Sequence, residues 1–417
     1  MQVTSPVSWI ERRSLEKILR AIGSAPLRFV LGNGEGVSPE GVVPVASIVI
    51  RDVPTLLRMV QNPEIGFGDG YADGRVEVQG DLVGALEAAY RSIAITSPGD
   101  RWYSFSDRWM ERLRINTPQR SRENVHHHYD LTSEFYQLWL DPLMLYTCSY
   151  FPSPTATLEE AQIAKMDLIC RKLQLQPGES VVEAGFGWGS LALHMAKHYG
   201  VKVKAFNLSH EQTVFALRRA REEGISDRVE FIEDDYRNVS GRFDAFVSVG
   251  MLEHVGANHY ADLGRVINQS LTPAGRGLLH FIGRDRPAPL SAWIRKRLFP
   301  GAYSPTLCEV TRVFEPWDLS VRDVENLRMH YARTLEHWLN RFENAAPQIS
   351  AMFSPKFVRT WRLYLAGSLA AFRVGTMQLF QITFARSECR QIPWTRDYIY
   401  SKHSSGEEDS KWTHAMS

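Results

Sequence analysis

The sequence predicts an α/β chain in which a doubly wound domain with a parallel sheet follows a smaller α+β domain. Three observations predict it. From Leu158 onward, apolar strand patterns alternate with amphipathic helical ones. The stretch VVEAGFGWGSL sets three alternating glycines between a strand and a helix. Before about residue 120 that alternation is missing, and short strand-like runs lie among helices.

In order along the chain, residues 10–23 (IERRSLEKILRAIG) place Ile10, Leu15, Ile18, Leu19 and Ile22 on one helical stripe, with Arg12, Arg13, Lys17 and Arg20 opposite. Such a helix suits either a packed face within its own domain or an anionic lipid surface. LRFVLG and VASIVIRD read as strands, GFGDGYADGRVEVQG as a glycine-punctuated, turn-rich segment, and DLVGALEAAYRSI as a helix. The polar, arginine-rich stretch TSPGDRWYSFSDRWMERLRINTPQRSRENV reads as a connector, dividing the chain into residues 1–120 and 121–417.

In the second domain EEAQIAKMDLICRKL is helical, SVVEAGF a strand, LALHMAKHYG a helix, KVKAFNL a strand, HEQTVFALRRAREEG a helix and VEFIEDD a strand. FDAFVSVG and GRGLLHFIG follow as strands around the helix YADLGRVINQSL. Ligands of such a sheet bind at the carboxyl ends of its strands.

Composition narrows the function. The chain has 417 residues, 44% of them hydrophobic and 23% charged, with a net charge of +1, so no global field draws it to nucleic acid. Cys148, Cys170, Cys308 and Cys389 are widely separated, which argues against a zinc site or a disulfide framework and fits a reducing cytoplasm. No uninterrupted apolar run reaches the roughly 20 residues that span a bilayer, so the chain is expected at most to lie on a membrane.

The glycine loop admits several ligands, and its flanking charges separate them. The GxGxG spacing differs from the GxGxxG that wraps a pyrophosphate. Glu183, just before the loop, would repel a phosphate but suits a ligand carrying an ammonium and a sulfonium, as S-adenosylmethionine does. About 20 residues further on, Asn207 stands where a dinucleotide fold has a ribose-binding acid. Asp234, Asp235 and Tyr236 end the third strand, suited to an adenine edge and face or simply to a solvated strand end.

Several stretches together resemble the cyclopropane-fatty-acyl-phospholipid synthase family, which includes the mycolic acid cyclopropane synthases. They are HHYDLTSEFYQLWLDPLMLYTCSYF, EAGFGWGSLALH, NLSHEQ, EDDYRN, VSVGMLEHVG, LLHFIGR, RVFEPWDLSVRDVENLRMHYARTLEHW and AFRVGTMQLFQITFAR. GFGDGYADG is also similar to the G-x-x-Y-x-x-G element of the long, phospholipid-acting members. The resemblance implies a class I, Rossmann-like methyltransferase domain. It also implies transfer of the S-adenosylmethionine methyl to a cis double bond of an unsaturated phospholipid acyl chain. The resulting cation loses a proton as a cyclopropane ring closes; the alternative outcome is a methyl- or methylene-branched chain. A peripheral position on the inner face of the membrane and a homodimer are further implications, the N-terminal domain making lipid or dimer contacts.

Carried over residue by residue, the resemblance assigns Cys148, Glu253, His280, the backbone of Ile282, and Tyr331 to a bound bicarbonate that acts as the base. It assigns Tyr146, Thr147, Gly185, Gly187, Gly189, Asn207, Leu208, Gln212, Asp235, Tyr236 and Arg237 to S-adenosylmethionine, beside Glu183. The chain departs from the family at Phe186 (commonly cysteine), Asn207 (threonine), Thr147 (serine) and Ser133 (asparagine). HHHYD at residues 126–130 completes no metal pattern, and its His128, Tyr129 and Asp130 are expected to shape a lid towards Cys148. AWIRKRLFPG mixes apolar and basic residues, as either a lipid-gripping surface or a solvated helix end does.

Overall fold

The structure is a computed structural model and describes residues 8–32, 34–96, 132–390 and 393–400. The expected domain boundary near residue 120 and the HHHYD segment lie outside the described residues.

Helix α1 (Trp9–Ala21) begins at a capping box in which Ser8 and Glu11 satisfy each other's backbone N–H groups. It buries Leu15, Ile18 and Leu19 and packs on α2 (Val53–Gln61), so most of its apolar stripe is used inside the chain; Trp9 and Ile10 stay exposed. Strands β1 (Leu27–Leu31), β2 (Ala46–Ile50) and β3 (Val76–Gln79) form a small sheet in that order, the first pair parallel and the second antiparallel.

GFGDGYADG is not turn-rich as expected: it lies largely in helix α3 (Pro63–Ala72), capped by Asn62 with Pro63 in the first turn. The glycines serve packing there. A Cβ at Gly66 would lie 2.5 Å from the Met59 backbone, and one at Gly70 2.7 Å from Val76. Helix propensity yields to close approach on several sides. Helix α4 (Leu82–Thr96) closes this part of the chain.

The rest is built on a seven-stranded sheet. Helix α5 (Ser133–Gln137) and helix α6 (Leu158–Lys172) precede β4 (Ser180–Ala184). Then come α7 (Ser190–Tyr199), β5 (Lys202–Asn207), α8 (His210–Glu222), β6 (Val229–Glu233), β7 (Phe243–Val249), α9 (Leu252–Val255), α10 (Tyr260–Ser270) and β8 (Leu271–Gly283). Helices α11 (Ala292–Arg297) and α12 (Leu307–Val310) lead to β9 (Ser320–Asn326), the long helices α13 (Arg328–Met352) and α14 (Pro355–Val374), and β10 (Gln378–Ala385).

The sheet order is β6-β5-β4-β7-β8-β10-β9. The first five strands are parallel, as expected, but β10 inserts between β8 and β9 antiparallel to both, so the sheet is mixed. Alternate residues of each strand feed separate cores: Val181 and Leu278 face one side, Val182 and Leu279 the other. A third apolar cluster joins Leu15 and Ile18 of the N-terminal part to Trp139, Trp338 and Trp361 around α13 and α14. Arg359 of α14 reinforces that junction, donating to the carbonyls of Tyr71 and Val76.

Candidate active site

The chain turns sharply where β4 ends. Gly185, Gly187 and Gly189 have φ of +84°, +53° and +84°, a region that side chains disfavour. Their surroundings differ. A Cβ on Gly189 would stand 2.7 Å from the Phe231 ring and 2.8 Å from Ala216, whereas one on Gly187 would meet nothing within 4 Å. Gly189 thus lets α7 start against β6 and α8, while Gly187 leaves the loop open to a ligand. Phe186 packs on Phe231 with ring centroids 4.8 Å apart, filling the core below the loop.

The loop borders a cavity of about 160 Å³. Tyr146, Thr147, Glu183, Gly185, Gly187, Asn207, Leu208, Gln212, Asp235, Tyr236 and Arg237 all line it. Gly189 does not. Sequence reasoning missed Lys165, His254, Pro300 and Gly301, which line it too.

Charge in this cavity is controlled by burial. Glu183 is pushed up to about 8 by burial, which Lys165 opposes, and its Oε2 has no partner among the described residues. Burial pushes Lys165 down to about 8, and its Nζ donates to Thr147 Oγ1 at 2.9 Å. Asn207 donates to Gln212 Oε1 at 2.7 Å, and Arg237 grips the Asp235 carboxylate through Nε and a terminal nitrogen. Ser133 donates to Glu211, while Trp188 donates to Ser133 at 3.2 Å, so α5 is tied to α8 and to the glycine loop.

A second group of largely buried residues lies outside that lining. Glu253 opens α9 just after β7, and its Oε1 accepts the Ile282 N–H at 2.6 Å. Burial pushes its carboxyl up to about 7, against that hydrogen bond, and Oε2 has no partner among the described residues. His280, two residues before Ile282 on β8, meets Gln381 at Nδ1, and its Nε2 likewise lacks a partner there. Cys148 donates its S–H to Ser149 O at 3.1 Å and approaches Leu327 O at 4.0 Å. Burial raises the thiol far above its ordinary range, so it stays protonated. Tyr331 N–H also reaches Leu327 O, and the Tyr331 ring packs on Phe372 and Trp338. Glu253 and Ile282 are therefore in direct contact, and Cys148 and Tyr331 meet at Leu327.

Sequence reasoning also missed Lys172 and Gln381, which support His280. Both carried a signal: Gln381 is an amide between Phe380 and Ile382, and Lys165 and Lys172 stand seven residues apart on one helix, on the face that also carries Leu168 and Ile169. Two basic groups repeated at that spacing share a helical face.

An aromatic cluster links Tyr146 of the cavity lining, through Trp338, to Tyr331. Tyr146 packs against Tyr136, Trp139 and Trp338 with centroids 5.3–5.5 Å apart, and its hydroxyl lies 2.7 Å from that of Tyr364. Aromatic faces attract cations without attacking them. In AWIRKRLFPG, Trp293 and Leu298 are buried, and a Cβ on Gly68 of α3 would lie 2.4 Å from the Trp293 ring. Arg297 is paired with Asp69 at 2.6 Å, so much of this segment is spent on contacts within the chain, and Pro300 and Gly301 at its end edge the cavity.

Residues 116–382 match the mycolic acid cyclopropane synthetase family. A Pseudomonas putida protein named "Probable fatty acid methyltransferase" is 34% identical over 90% of this chain and 96% of its own. The cyclopropane-fatty-acyl-phospholipid synthase of Escherichia coli is 33% identical over 84% and 90%. The crystal structure of mycolic acid cyclopropane synthase CmaA1 complexed with SAH and CTAB is 30% identical, with a TM-score of 0.61 over 64% of this chain and 98% of that one. The glycine-loop cavity at the carboxyl end of a Rossmann-like sheet and these likenesses agree: the chain belongs to the mycolic acid cyclopropane synthetase family and is an S-adenosylmethionine-dependent methyltransferase.

Proposed function

We propose that the chain methylates the cis double bond of unsaturated acyl chains in membrane phospholipids and closes a cyclopropane ring, with bicarbonate as the base. The observation that carries this reading is a pair of buried polar atoms without partners among the described residues, Glu253 Oε2 and His280 Nε2, beside the Ile282 backbone. A small oxyanion that offers both acceptors and a proton suits them, His280 donating and a carboxylate near neutrality sharing a proton. When bound, S-adenosylmethionine supplies an electrophilic methyl group, and bicarbonate an oxygen that takes a proton.

The chain's own residues do the remainder. Gly187 leaves room for the cofactor backbone, while Glu183, its carboxyl raised to about 8 by burial, faces the cofactor's positive groups, whose charge favours its ionised form. Tyr146, Trp139 and Trp338 exclude water and tolerate positive charge on the substrate. Cys148, kept as a thiol by burial, does not trap that cation. Residues 1–120 form the N-terminal domain in this proposal, contributing lipid or dimer contacts, and the enzyme lies peripherally on the inner face of the membrane. No helix among the described residues is long and apolar enough to cross one.

A second reading, a methyl- or methylene-branched product, is favoured by the name of the Pseudomonas putida relative. Labelled S-adenosylmethionine, vesicles of unsaturated phospholipid and a mass and double-bond analysis of the product separate the two: a ring has lost the double bond. With the same assay, His280→Ala is expected to lose roughly 10²–10³-fold in turnover, the effect of removing one positioned donor. Its S-adenosylhomocysteine affinity stays unchanged; full turnover would sink the assignment.

A further inference from the structure

Two antiparallel pairings set three side chains in a row. His280 of β8 is the direct register partner of Gln381 on β10, and Gln381 that of Glu325 on β9. Residues paired this way project from the same face of the sheet. Lys172, at the end of α6, lowers its ammonium onto that face, 2.7 Å from Gln381 Oε1 and in contact with Glu325. Gln381 is fully buried, as is the Lys172 side chain.

An ammonium only donates, so the atom that Gln381 turns to Lys172 is its carbonyl oxygen. Its NH₂ group is then what stands 3.0 Å from His280 Nδ1. A ring nitrogen facing a donor must carry a lone pair, which leaves the ring proton on Nε2.

We infer that Lys172 and Gln381 are positioning residues that hold His280 as the neutral tautomer protonated on Nε2, so that His280 acts in the site only as a hydrogen-bond donor. This rests on the proposed function solely for what receives that hydrogen bond. Protonating Nδ1 would set N–H against N–H, and turning the amide over would set its hydrogens against the ammonium. Burial, together with the charges of Lys165 and Lys172 on α6, holds His280 well below the ordinary imidazole range, while Glu325 beyond them answers Lys172. His280 therefore presents no lone pair to the substrate and does not take the proton released when a ring closes.

The test uses the full chain with ¹⁵N-labelled histidine. Long-range ¹H–¹⁵N spectra are recorded without substrate, His280 being identified as the signal lost in His280→Asn. The expected pattern is a neutral ring protonated on Nε2, unchanged from about pH 6 to pH 8, across the range where free histidine titrates. An imidazolium, or a proton on Nδ1, would overturn the inference. In Gln381→Glu a carboxylate accepts from both Lys172 and Nδ1–H, so the proton moves to Nδ1 and turnover falls roughly 10–100-fold, the size of effect seen when the hydrogen-bond partner that orients a metal-bound histidine is changed. An unmoved ring proton in that variant would overturn it as well, and if the variant does not fold, the wild-type spectrum decides alone. Full turnover in His280→Ala with the Nε2 tautomer intact would defeat the proposed function and leave this inference standing; an Nδ1–H ring with turnover lost in His280→Ala would do the reverse.

Discussion

The glycine-loop cavity and the Glu253–His280 cluster sit on neighbouring strands of one sheet, but they are made in different ways. The first takes its lining largely from strand ends and the turns after them, with partly exposed groups such as Asn207 and Arg237. The second is closed, and its polar groups are held by long-range pairs: Glu253 with Ile282, His280 with Gln381, Lys172 with Glu325. A site for a whole cofactor is shaped by backbone, whereas a site for one proton is shaped by side chains that fix each other.

The contrast can be broken at its backbone end first. Gly189→Val places a branched side chain at φ +84° with its Cβ within 3 Å of Phe231 and Ala216. It is expected to cost about 4 kcal/mol or more, by backbone strain and overpacking together. A urea midpoint close to wild type would show that the loop is not fixed by packing.

The closed cluster predicts an effect of pH. Burial pushes Glu253 up to about 7 in the folded chain, so the folded state holds this proton more tightly than the unfolded state does. Its contribution is complete below the unfolded value of about 4.3 and is lost as pH rises through the folded one. Glu253→Gln, which cannot ionise, should therefore gain on wild type between pH 4 and pH 8, by at most about 3 kcal/mol. Denaturant midpoints at both ends of that window measure it, and parallel curves for the two proteins would contradict it. The smallest effect is at Gly187, where a Cβ meets open space but φ is +53°. Gly187→Ala should cost roughly 1–2 kcal/mol in stability, the penalty of the left-handed region. Calorimetry with S-adenosylhomocysteine then tells whether the added methyl also reaches the ligand.

Legibility in the sequence follows the same division. The strand–glycine–helix run at Val181–Leu191 is contiguous, so its period and charge could be read directly, and the parallel strands β4 to β8 came with it. Cys148, Glu253, His280 and Tyr331 come from segments far apart, and only the resemblance to a family brought them together. The insertion of β10 escaped for another reason: FQITFA alternates apolar and polar residues as a half-exposed strand does, yet every residue of β10 is buried, and local alternation does not say which strands it pairs with. The glycine-rich helix α3 escaped because its glycines signal turns locally and are justified only by Met59, Val76 and Trp293. Phe186, unexplained as a departure from the family, became clear once Phe231 stood beside it.

The placement of β10 carries a further consequence, for the order in which the protein is made. Strands β4 to β8 can pair as soon as residue 283 has left the ribosome, and the glycine loop with them. Gln381 arrives about a hundred residues later, and a one-residue slip of its strand would turn it to the opposite face of the sheet. At the roughly 5–20 residues per second of synthesis, the strands and glycine loop of the cofactor pocket are available for several seconds before the histidine beside them can acquire its partner. A nascent chain halted in that interval would have the means to hold a methyl donor but not the fixed proton geometry to use it.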